Sequence, residues 1–176
     1  ARHWRRRGGQ GVCHAQGRCP ERAGGGVIAE RHVVARVEGM ASGGLRPGVA
    51  LYETFCARAC DQANRDVGMH GLPVVCVLDR AGITGDDGPS HHGVLDMVLC
   101  QTIPGITMFA PSSVQEVPAM LATALELDGP AVIRFPKGVA RQVAPDEVGI
   151  GLAARRWRES STREFAIVGV GKLPSA

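Results

Sequence analysis

One segment of the sequence, from Asp79 to Gly93, is dense in groups that titrate or bind ions. It is DRAGITGDDGPSHHG, and its charged and imidazole side chains are Asp79, Arg80, Asp86, Asp87, His91 and His92. A plain connection between two regular elements needs about 4–6 residues. A loop of this length and composition therefore favours a binding or catalytic site, although a solvated loop with charged decoration would have the same composition.

A metal site is a second interpretation of the same loop, because Asp87 and His91 are both residue types that bind metals. A stable metal centre needs a set of ligands at suitable spacing. No second pair of ligands accompanies these two residues, so we expect no metal site in this chain.

Two other places have charged side chains next to apolar runs. Glu30 lies in VIAERHVVA, at the start of an apolar helical pattern, where a carboxylate ordinarily favours the helix dipole. Arg134 and Lys137 flank Pro136 in RFPKG, at the end of an apolar run. Two cations there suit a phosphate group, and a solvated strand end explains them equally well.

These residues lie at the ends of elements in an alternating α/β pattern. Apolar runs predict strands over Pro47–Tyr52, Pro73–Leu78, Ile106–Ala110, Ala131–Phe135 and Phe165–Val170. Helical patterns cover Ile28–Met40, Glu53–Met69 and Val94–Cys100, and a further helix, capped by Ser112 or Ser113, runs to Leu127 and is interrupted or bent at Pro118. Continuous apolar strands joined by helices predict a parallel sheet with helices on both faces. Since ligands of such sheets bind beyond the carboxyl ends of the strands, the segments after Tyr52, Leu78 and Phe135 are expected to meet there.

The composition of the 176 residues, with 44% hydrophobic residues, fits one domain with a real core. No apolar run approaches the roughly 20 residues that a membrane helix needs, and residues 1–36 lack the apolar part of a signal peptide. We therefore expect a cytoplasmic protein without a membrane partner. Residues 1–36 hold eight Arg and two Glu. A basic arm of this kind can bind nucleic acid, but no RNA-binding pattern accompanies it, so no nucleic-acid partner is expected.

The pattern also divides the chain. Residues 1–26 are predicted to be an irregular basic leader, 27–138 one domain, 139–164 a linker and 165–176 the truncated start of a further domain. The six cysteines are Cys13, Cys19, Cys56, Cys60, Cys76 and Cys100, and none forms a CxxC pair. Cys56 and Cys60, four residues apart on one helical face, indicate core packing rather than zinc binding.

Several strings together resemble one protein family. They are VLDRAGITGDDGPSHHGVLDMVLCQTIPGITMFAPS, IAERH, GMASGGLRPGVALYETF, the DQ–DVG–H–LPV stretch within 61–74, and DGPAVIRFPKG. In order and spacing they are similar to the central domain of the 1-deoxy-D-xylulose-5-phosphate synthases, over about residues 20–138. The resemblance implies a transketolase-like pyrimidine-binding domain of the thiamine diphosphate-binding fold. It also implies that residues 165–176 begin a transketolase C-terminal domain.

For function, the resemblance implies a transferase that condenses pyruvate with glyceraldehyde 3-phosphate, with loss of carbon dioxide, on thiamine diphosphate. This reaction feeds isoprenoid, thiamine and pyridoxal synthesis, and the full-length family is homodimeric. Glu30 matches the glutamate that bonds a ring nitrogen of the aminopyrimidine, and Phe55 matches the aromatic residue stacked on that ring. The matched substrate-side positions are Tyr52, Arg58, Arg80, Asp87, His91 and Lys137, of which Asp87 and His91 are also implied in catalysis with Glu30.

The sequence departs from the family at several places, which include the loss of an acid near Gly25 and a lysine at Lys137, where an arginine is common. The usual glutamine after the glutamate of IAEQH is Arg31, and the serine of YSTF is Glu53. The latter change adds a carboxyl group beside the expected pyrimidine pocket.

The resemblance further implies a second half of the site. The family binds Mg²⁺ and the diphosphate through a GDG motif and an asparagine on an earlier domain, whereas the GDDG at Gly85 belongs to the loop described above. We therefore expect the Mg²⁺ ligands on an N-terminal domain, for which a separate chain is one source, and no activity from this chain alone. The hypotheses are a piece of the catalytic enzyme, including a subunit of a split enzyme, or a non-catalytic remnant acting as an interaction module.

Overall fold

The computed structural model describes residues 20–24, 28–153, 159, 164 and 166–171. In this part of the chain, β1 (Gly48–Tyr52), β2 (Val75–Asp79), β3 (Thr107–Phe109) and β4 (Ala131–Phe135) form one sheet in the order β1-β2-β4-β3. All three pairings are parallel. The predicted α/β fold is therefore confirmed. Residues 1–19, which form most of the predicted basic leader and include Cys13 and Cys19, lie outside the described residues.

The helices lie on both faces of this sheet. They are α1 (Glu30–Ser42), α2 (Glu53–Cys56), α3 (Cys60–Gln62), α4 (Asp96–Gln101) and α5 (Glu116–Glu126), with short 3-10 turns at Pro20–Arg22, Ala57–Ala59, Gly85–Asp87, Pro89–His91 and Pro145–Glu147. On one face, α5 packs its Ala124 among Val75, Phe109 and Ile133. On the other face, Cys56 of α2 and Cys100 of α4 pack on Leu78 and Val132, and α1 packs on β1 through Val34 and Val37. Alternation along each strand thus supplies two cores, because successive side chains point to opposite faces.

Two predicted helices differ from those observed. The stretch predicted as one helix over 53–69 changes to a 3-10 turn at Ala57–Ala59 and to a π-helical turn at Ala63–Gly68. The wider turn sets Gly68 so close to Ile103 and Pro104 that a Cβ atom would not fit, so packing overrides the regular repeat. The predicted bend at Pro118 is also wrong, because α5 begins only two residues earlier. In the first turn of a helix the missing N–H of proline costs no hydrogen bond.

The predicted strand over 165–170 is wrong for residues 166–170, which have no regular structure. Ile167 and Val168 are 88% and 87% exposed. An apolar run becomes a strand only where a neighbouring strand satisfies its backbone groups, and no described residue pairs with this segment. Phe165 and residues 172–176 lie outside the described residues.

Two further sequence expectations concern cysteines and membranes. Cys56 and Cys60 do face one another, since the Cys60 thiol donates to the Cys56 carbonyl oxygen at 3.5 Å. A hydrogen bond with Cys56 and then burial raise the pKa of the Cys60 and Cys76 thiols, so both are protonated at neutral pH. Among the described residues, no helix is long and apolar enough to cross a membrane.

Candidate functional site

The carboxyl ends of three strands are aligned at one edge of the sheet. Tyr52, the last residue of β1, is in register with Asp79 of β2, and Asp79 is in register with Phe135 of β4. From this edge the chain continues into α2, into the 79–93 loop and into RFPKG. The parallel topology therefore places the three segments that the sequence singled out beside one another.

An aromatic pair forms the centre of this edge. The rings of Tyr52 and Phe55 are stacked with their centroids 6.0 Å apart. The Arg80 guanidinium lies 4.3 Å from the centroid of the Tyr52 ring, and the His91 ring meets Phe55 edge-on at 5.4 Å. Both ends of the 79–93 loop thus contact the segment that follows β1.

A three-residue ion cluster lies beside the aromatic pair. Asp87 binds the Arg80 guanidinium at 2.6 Å and the Lys137 ammonium at 2.9 Å. The hydrogen bond from Lys137, together with the charges of Arg80 and His91, lowers the pKa of Asp87 below its ordinary value. Asp87 therefore stays ionised at neutral pH and links the loop to the segment after β4.

Arg80 has a positive φ angle of 65°, which is uncommon for a residue with a Cβ atom. The next residue is fixed by the sheet, because the Ala81 N–H donates to the Phe135 carbonyl oxygen at 3.0 Å. With this backbone conformation, the Arg80 side chain lies over the Tyr52 ring. Such strain persists only where the surrounding contacts determine the conformation.

Glu30 is the first residue of α1, and Arg58 connects it to the aromatic pair. Its side chain is 9% exposed, and Arg58 lies 3.8 Å from it. The Arg58 guanidinium also lies 5.0 Å from the centroid of the Phe55 ring. An open cleft of about 470 Å³ is lined here by Ile28, Ala29, Glu30, Arg31, His32 and Arg58.

All eight residues that the sequence singled out by family position belong to one chain of contacts. The chain runs from Glu30 through Arg58 to Phe55, from Phe55 to His91 and Tyr52, and from Tyr52 through Arg80 and Asp87 to Lys137. The other histidine of the loop, His92, instead accepts a hydrogen bond from the Thr84 N–H at 3.2 Å and holds the loop internally.

Sequence reasoning missed a buried ion pair under this edge. Arg134, interpreted above as one of two cations for a phosphate, instead pairs with Asp96 of α4. The Asp96 side chain is 1% exposed and that of Arg134 is 15% exposed. The two cations of RFPKG therefore face different partners. The only signal in the sequence was an aspartate at the start of an apolar helix, which is ordinary on its own.

The described residues contain no group of three or more histidine, cysteine, aspartate or glutamate side chains arranged to hold a metal ion. The edge presents a carboxylate that lines a cleft, an aromatic ring in contact with Arg58 of the same cleft, and several cations. Such a set can hold a planar nitrogen-containing ring at one end and an anionic group at the other.

Known proteins share this arrangement of elements. The chain is 43% identical over 155 residues to the 1-deoxy-D-xylulose-5-phosphate synthase of Corynebacterium diphtheriae, and 44% identical over 161 residues to that of Paenarthrobacter aurescens. These matches cover 85% and 89% of this chain. The chain spans 24%, about a quarter, of the length of each of these curated relatives.

Solved structures give the same result for the fold. A structure described as a split gene transketolase, inactive beta4 tetramer, superimposes with a TM-score of 0.64 at 27% identity, covering 74% of this chain and 42% of that one. The transketolase of Campylobacter jejuni gives a TM-score of 0.60 at 20% identity, covering 66% of this chain and 19% of that one. The family model described as transketolase, pyrimidine binding domain matches residues 9–142. The chain therefore belongs to the transketolase pyrimidine-binding-domain family.

Proposed function

We propose that this chain supplies the pyrimidine-binding half of a 1-deoxy-D-xylulose-5-phosphate synthase site. The reaction is the thiamine diphosphate-dependent condensation of pyruvate with glyceraldehyde 3-phosphate, with loss of carbon dioxide, for isoprenoid, thiamine and pyridoxal synthesis in the cytoplasm. The observation that carries the proposal is the continuous chain of contacts from Glu30 to Lys137 along one edge of the sheet.

The residues around the cleft fit the pyrimidine end of thiamine diphosphate. When bound, this cofactor supplies the electron sink for decarboxylation. Glu30 is a mostly buried carboxyl group that lines the cleft, so it is placed to hydrogen-bond a ring nitrogen and set the proton on the aminopyrimidine. The Phe55 ring provides the apolar surface on which a flat ring stacks.

The remaining residues fit the phosphate end of the triose. Arg80 and Lys137 are cations held in place by Asp87, and Arg58 adds a third, more exposed cation on the side of Glu30. His91, in contact with Phe55, is placed between the two ends. We assign it to proton movement during the carbon–carbon bond-forming step, because an imidazole can both donate and accept a proton. Asp87, which stays ionised, is assigned to assist this movement through its negative charge.

The proposal includes a second protein domain. The chain spans about a quarter of its curated relatives, and we assign the Mg²⁺ and diphosphate ligands to an N-terminal domain, on the same or a separate chain, in a homodimeric assembly. Holding the cofactor at both ends is what brings its reacting atoms together, and positioning of this kind is worth roughly 7–11 kcal/mol. The chain alone is therefore expected to bind the pyrimidine weakly and to turn over nothing.

The first test is binding. Calorimetric titration of the chain with the aminopyrimidine moiety of thiamine should give weak binding that Glu30→Gln weakens by about tenfold or more, the value of one lost charge-assisted hydrogen bond. Glu38→Gln is the matched control, since Glu38 lies two turns along the same helix and bonds Ser42. Equal affinities in Glu30→Gln and the unaltered chain would remove Glu30 from the site.

The second test is turnover. The chain is mixed with the N-terminal domain of the Corynebacterium diphtheriae synthase, thiamine diphosphate, Mg²⁺ and both substrates, and deoxyxylulose phosphate is measured. Product should form only in the mixture, and Glu30→Gln should reduce its rate by about 10²–10⁴-fold. Binding of the two chains without product would instead favour the second candidate, a non-catalytic interaction module. Turnover by this chain alone would contradict the half-site assignment.

A further inference from the structure

Glu53 is a buried glutamate that has no role in the proposed reaction. It is the first residue of α2, directly after Tyr52 and two residues before Phe55, and it is only 3% exposed. The backbone N–H groups of Leu95 and Asp96, at the start of α4, lie beside its carboxyl group and act to lower its pKa. One of its oxygens, Oε2, has no hydrogen-bond partner. A buried polar atom without a partner is costly, so its chemical state needs an explanation.

The Glu53 carboxyl packs against the end of the 79–93 loop. A Cβ atom added to Gly93 would overlap Oε2 and lie 2.6 Å from Cδ of Glu53, with the Arg80 carbonyl oxygen 2.8 Å away as the third neighbour. Gly93 also closes the base of the loop, since it exchanges backbone hydrogen bonds of 2.5 Å and 2.8 Å with Gly82. Glu53 therefore lies under the point where the loop closes, next to the Arg80 carbonyl oxygen.

The neighbouring charges make an ionised Glu53 unfavourable. Two carboxyl groups, Glu53 and Asp96, are buried together, and the one guanidinium beside them, that of Arg134, is already paired with Asp96. A further titratable neighbour is the protonated thiol of Cys60. Burial and then the Asp96 charge raise the pKa of Glu53, against the opposing effects of Arg134 and the two N–H donors. With one proton on Glu53, the buried set is neutral.

The position of that proton follows from the acceptors. Oε2 and the Arg80 carbonyl oxygen face the same small space beside Gly93. Two acceptors in one space repel unless one of them carries a proton. We propose that Glu53 is the positioning residue of the 79–93 loop: it is held as an uncharged acid whose Oε2 proton is directed at the Arg80 carbonyl, so that closure of the loop weakens when this proton is lost.

The pH dependence has a defined sign. A glutamate whose folded pKa is raised stabilises the folded loop at pH values below its ordinary pKa, and this contribution is lost as the pH rises through the folded pKa. Glu53→Gln keeps a neutral, hydrogen-bonding side chain at every pH. This inference does not depend on the proposed reaction.

The experiment compares hydrogen exchange of the 79–93 loop in the full chain and in Glu53→Gln, at pH 5 and pH 8. Comparison at equal pH cancels the intrinsic exchange rates. At pH 8 the loop of the unaltered chain should exchange about three- to tenfold faster than that of the variant, because loss of the Glu53 proton removes the contact that closes the loop. The ratio of the two rates should be smaller at pH 5. Equal rates at both pH values, or faster exchange in the variant at pH 8, would overturn the proposal.

A matched control and a second measurement keep the test decisive. Glu116→Gln alters another buried glutamate, 6% exposed, and should leave exchange of the 79–93 loop unchanged at both pH values. If Glu53→Gln does not fold, the unaltered chain is titrated with ¹³C-labelled glutamate carboxyl groups and followed by NMR. The Glu53 midpoint should exceed that of glutamate in the urea-unfolded chain, and a midpoint at or below that reference would overturn the proposal.

Discussion

The 79–93 loop and the 139–153 segment are both fifteen residues long, follow strands at the same edge of the sheet and contain only short 3-10 turns. Their packing differs. In the loop, Ala81 and Thr84 are 1% and 5% exposed, whereas Val139 and Ile150 of the second segment are 90% and 82% exposed. An irregular segment becomes part of the core only when its own backbone groups and charges are satisfied within it. Internal pairing, rather than composition, separates these two segments.

Each region contacts one buried glutamate, and the pKa values of the two glutamates are shifted in opposite directions. Glu53 lies under the loop beside another carboxyl group, and its pKa is raised chiefly by burial. Burial also acts on Glu116, but N–H groups of Ser112 and Gly149 at 2.6 and 3.0 Å donate to it. These donors outweigh burial and lower the pKa of Glu116. The Asp96 charge beside Glu53 and the N–H donors around Glu116 therefore shift the pKa values of the two carboxyl groups in opposite directions.

The largest expected effect comes from removing the cation beneath the loop. Arg134→Met leaves Asp96 and Glu53 buried without a positive charge, so we expect a loss of about 3–5 kcal/mol in the free energy of unfolding. Urea unfolding followed by circular dichroism measures it. The double variant Asp96→Asn with Arg134→Met removes both charges and should recover part of the loss. A loss below about 1 kcal/mol in the single variant would show that the pair is solvated rather than buried.

The sheet was largely predictable from sequence because its strands are short apolar runs between helices. The run Ala131–Phe135 matches β4 residue for residue, and parallel pairing follows from continuous apolar strands. The position of β4 between β2 and β3 was not predicted, since register and order depend on contacts far apart in sequence. The predicted strand at residues 166–170 was wrong because an apolar run alone does not provide a partner strand.

For the site, ligands of a parallel sheet bind beyond the carboxyl ends of its strands, and this rule alone predicted that Tyr52, Arg80 and Lys137 lie at one edge. The resemblance to a known family added Glu30 and Arg58, whose proximity no local pattern indicates. Neither the strand ends nor the family resemblance predicted that Glu53 lies next to Asp96. This contact joins the starts of two helices through side-chain burial, and burial of a single charged residue has no sequence signature. The roles assigned to all of these residues remain predictions.

A smaller effect is expected at the other glutamate. Glu116→Ala leaves buried N–H groups of Ser112 and Gly149 without an acceptor, so the free energy of unfolding should fall by about 1–3 kcal/mol. Hydrogen exchange should become faster around Gly149 and remain unchanged in the 79–93 loop. Because the folded pKa of Glu116 is lowered, its contribution is present above the ordinary glutamate pKa, about 4.3, and is lost as the pH falls through the folded value.

The unfolding free energies of Glu116→Gln and the unaltered chain, measured from pH 7 down to pH 3, check that sign. Their difference should shrink as the pH falls, which is the reverse of the dependence proposed for Glu53. A difference that grows towards acid pH would place Glu116 in the same electrostatic situation as Glu53 and remove the contrast between the two regions.

The smallest effect is expected in the exposed segment. Ile150→Ser changes a side chain that is 82% exposed, and its backbone carbonyl, which accepts the Ala153 N–H at 3.1 Å, is kept. Surface changes of this kind usually alter stability by no more than about 0.5 kcal/mol. Ile133→Val is the matched control, because Ile133 is 1% exposed in the sheet and removal of one buried methylene there should cost about 0.5–1.5 kcal/mol. Both are measured by urea unfolding of the full chain. A loss above about 1 kcal/mol for Ile150→Ser would mean that the 139–153 segment is covered in solution. Both fifteen-residue segments would then be packed, and they would differ only in the surfaces that they pack against.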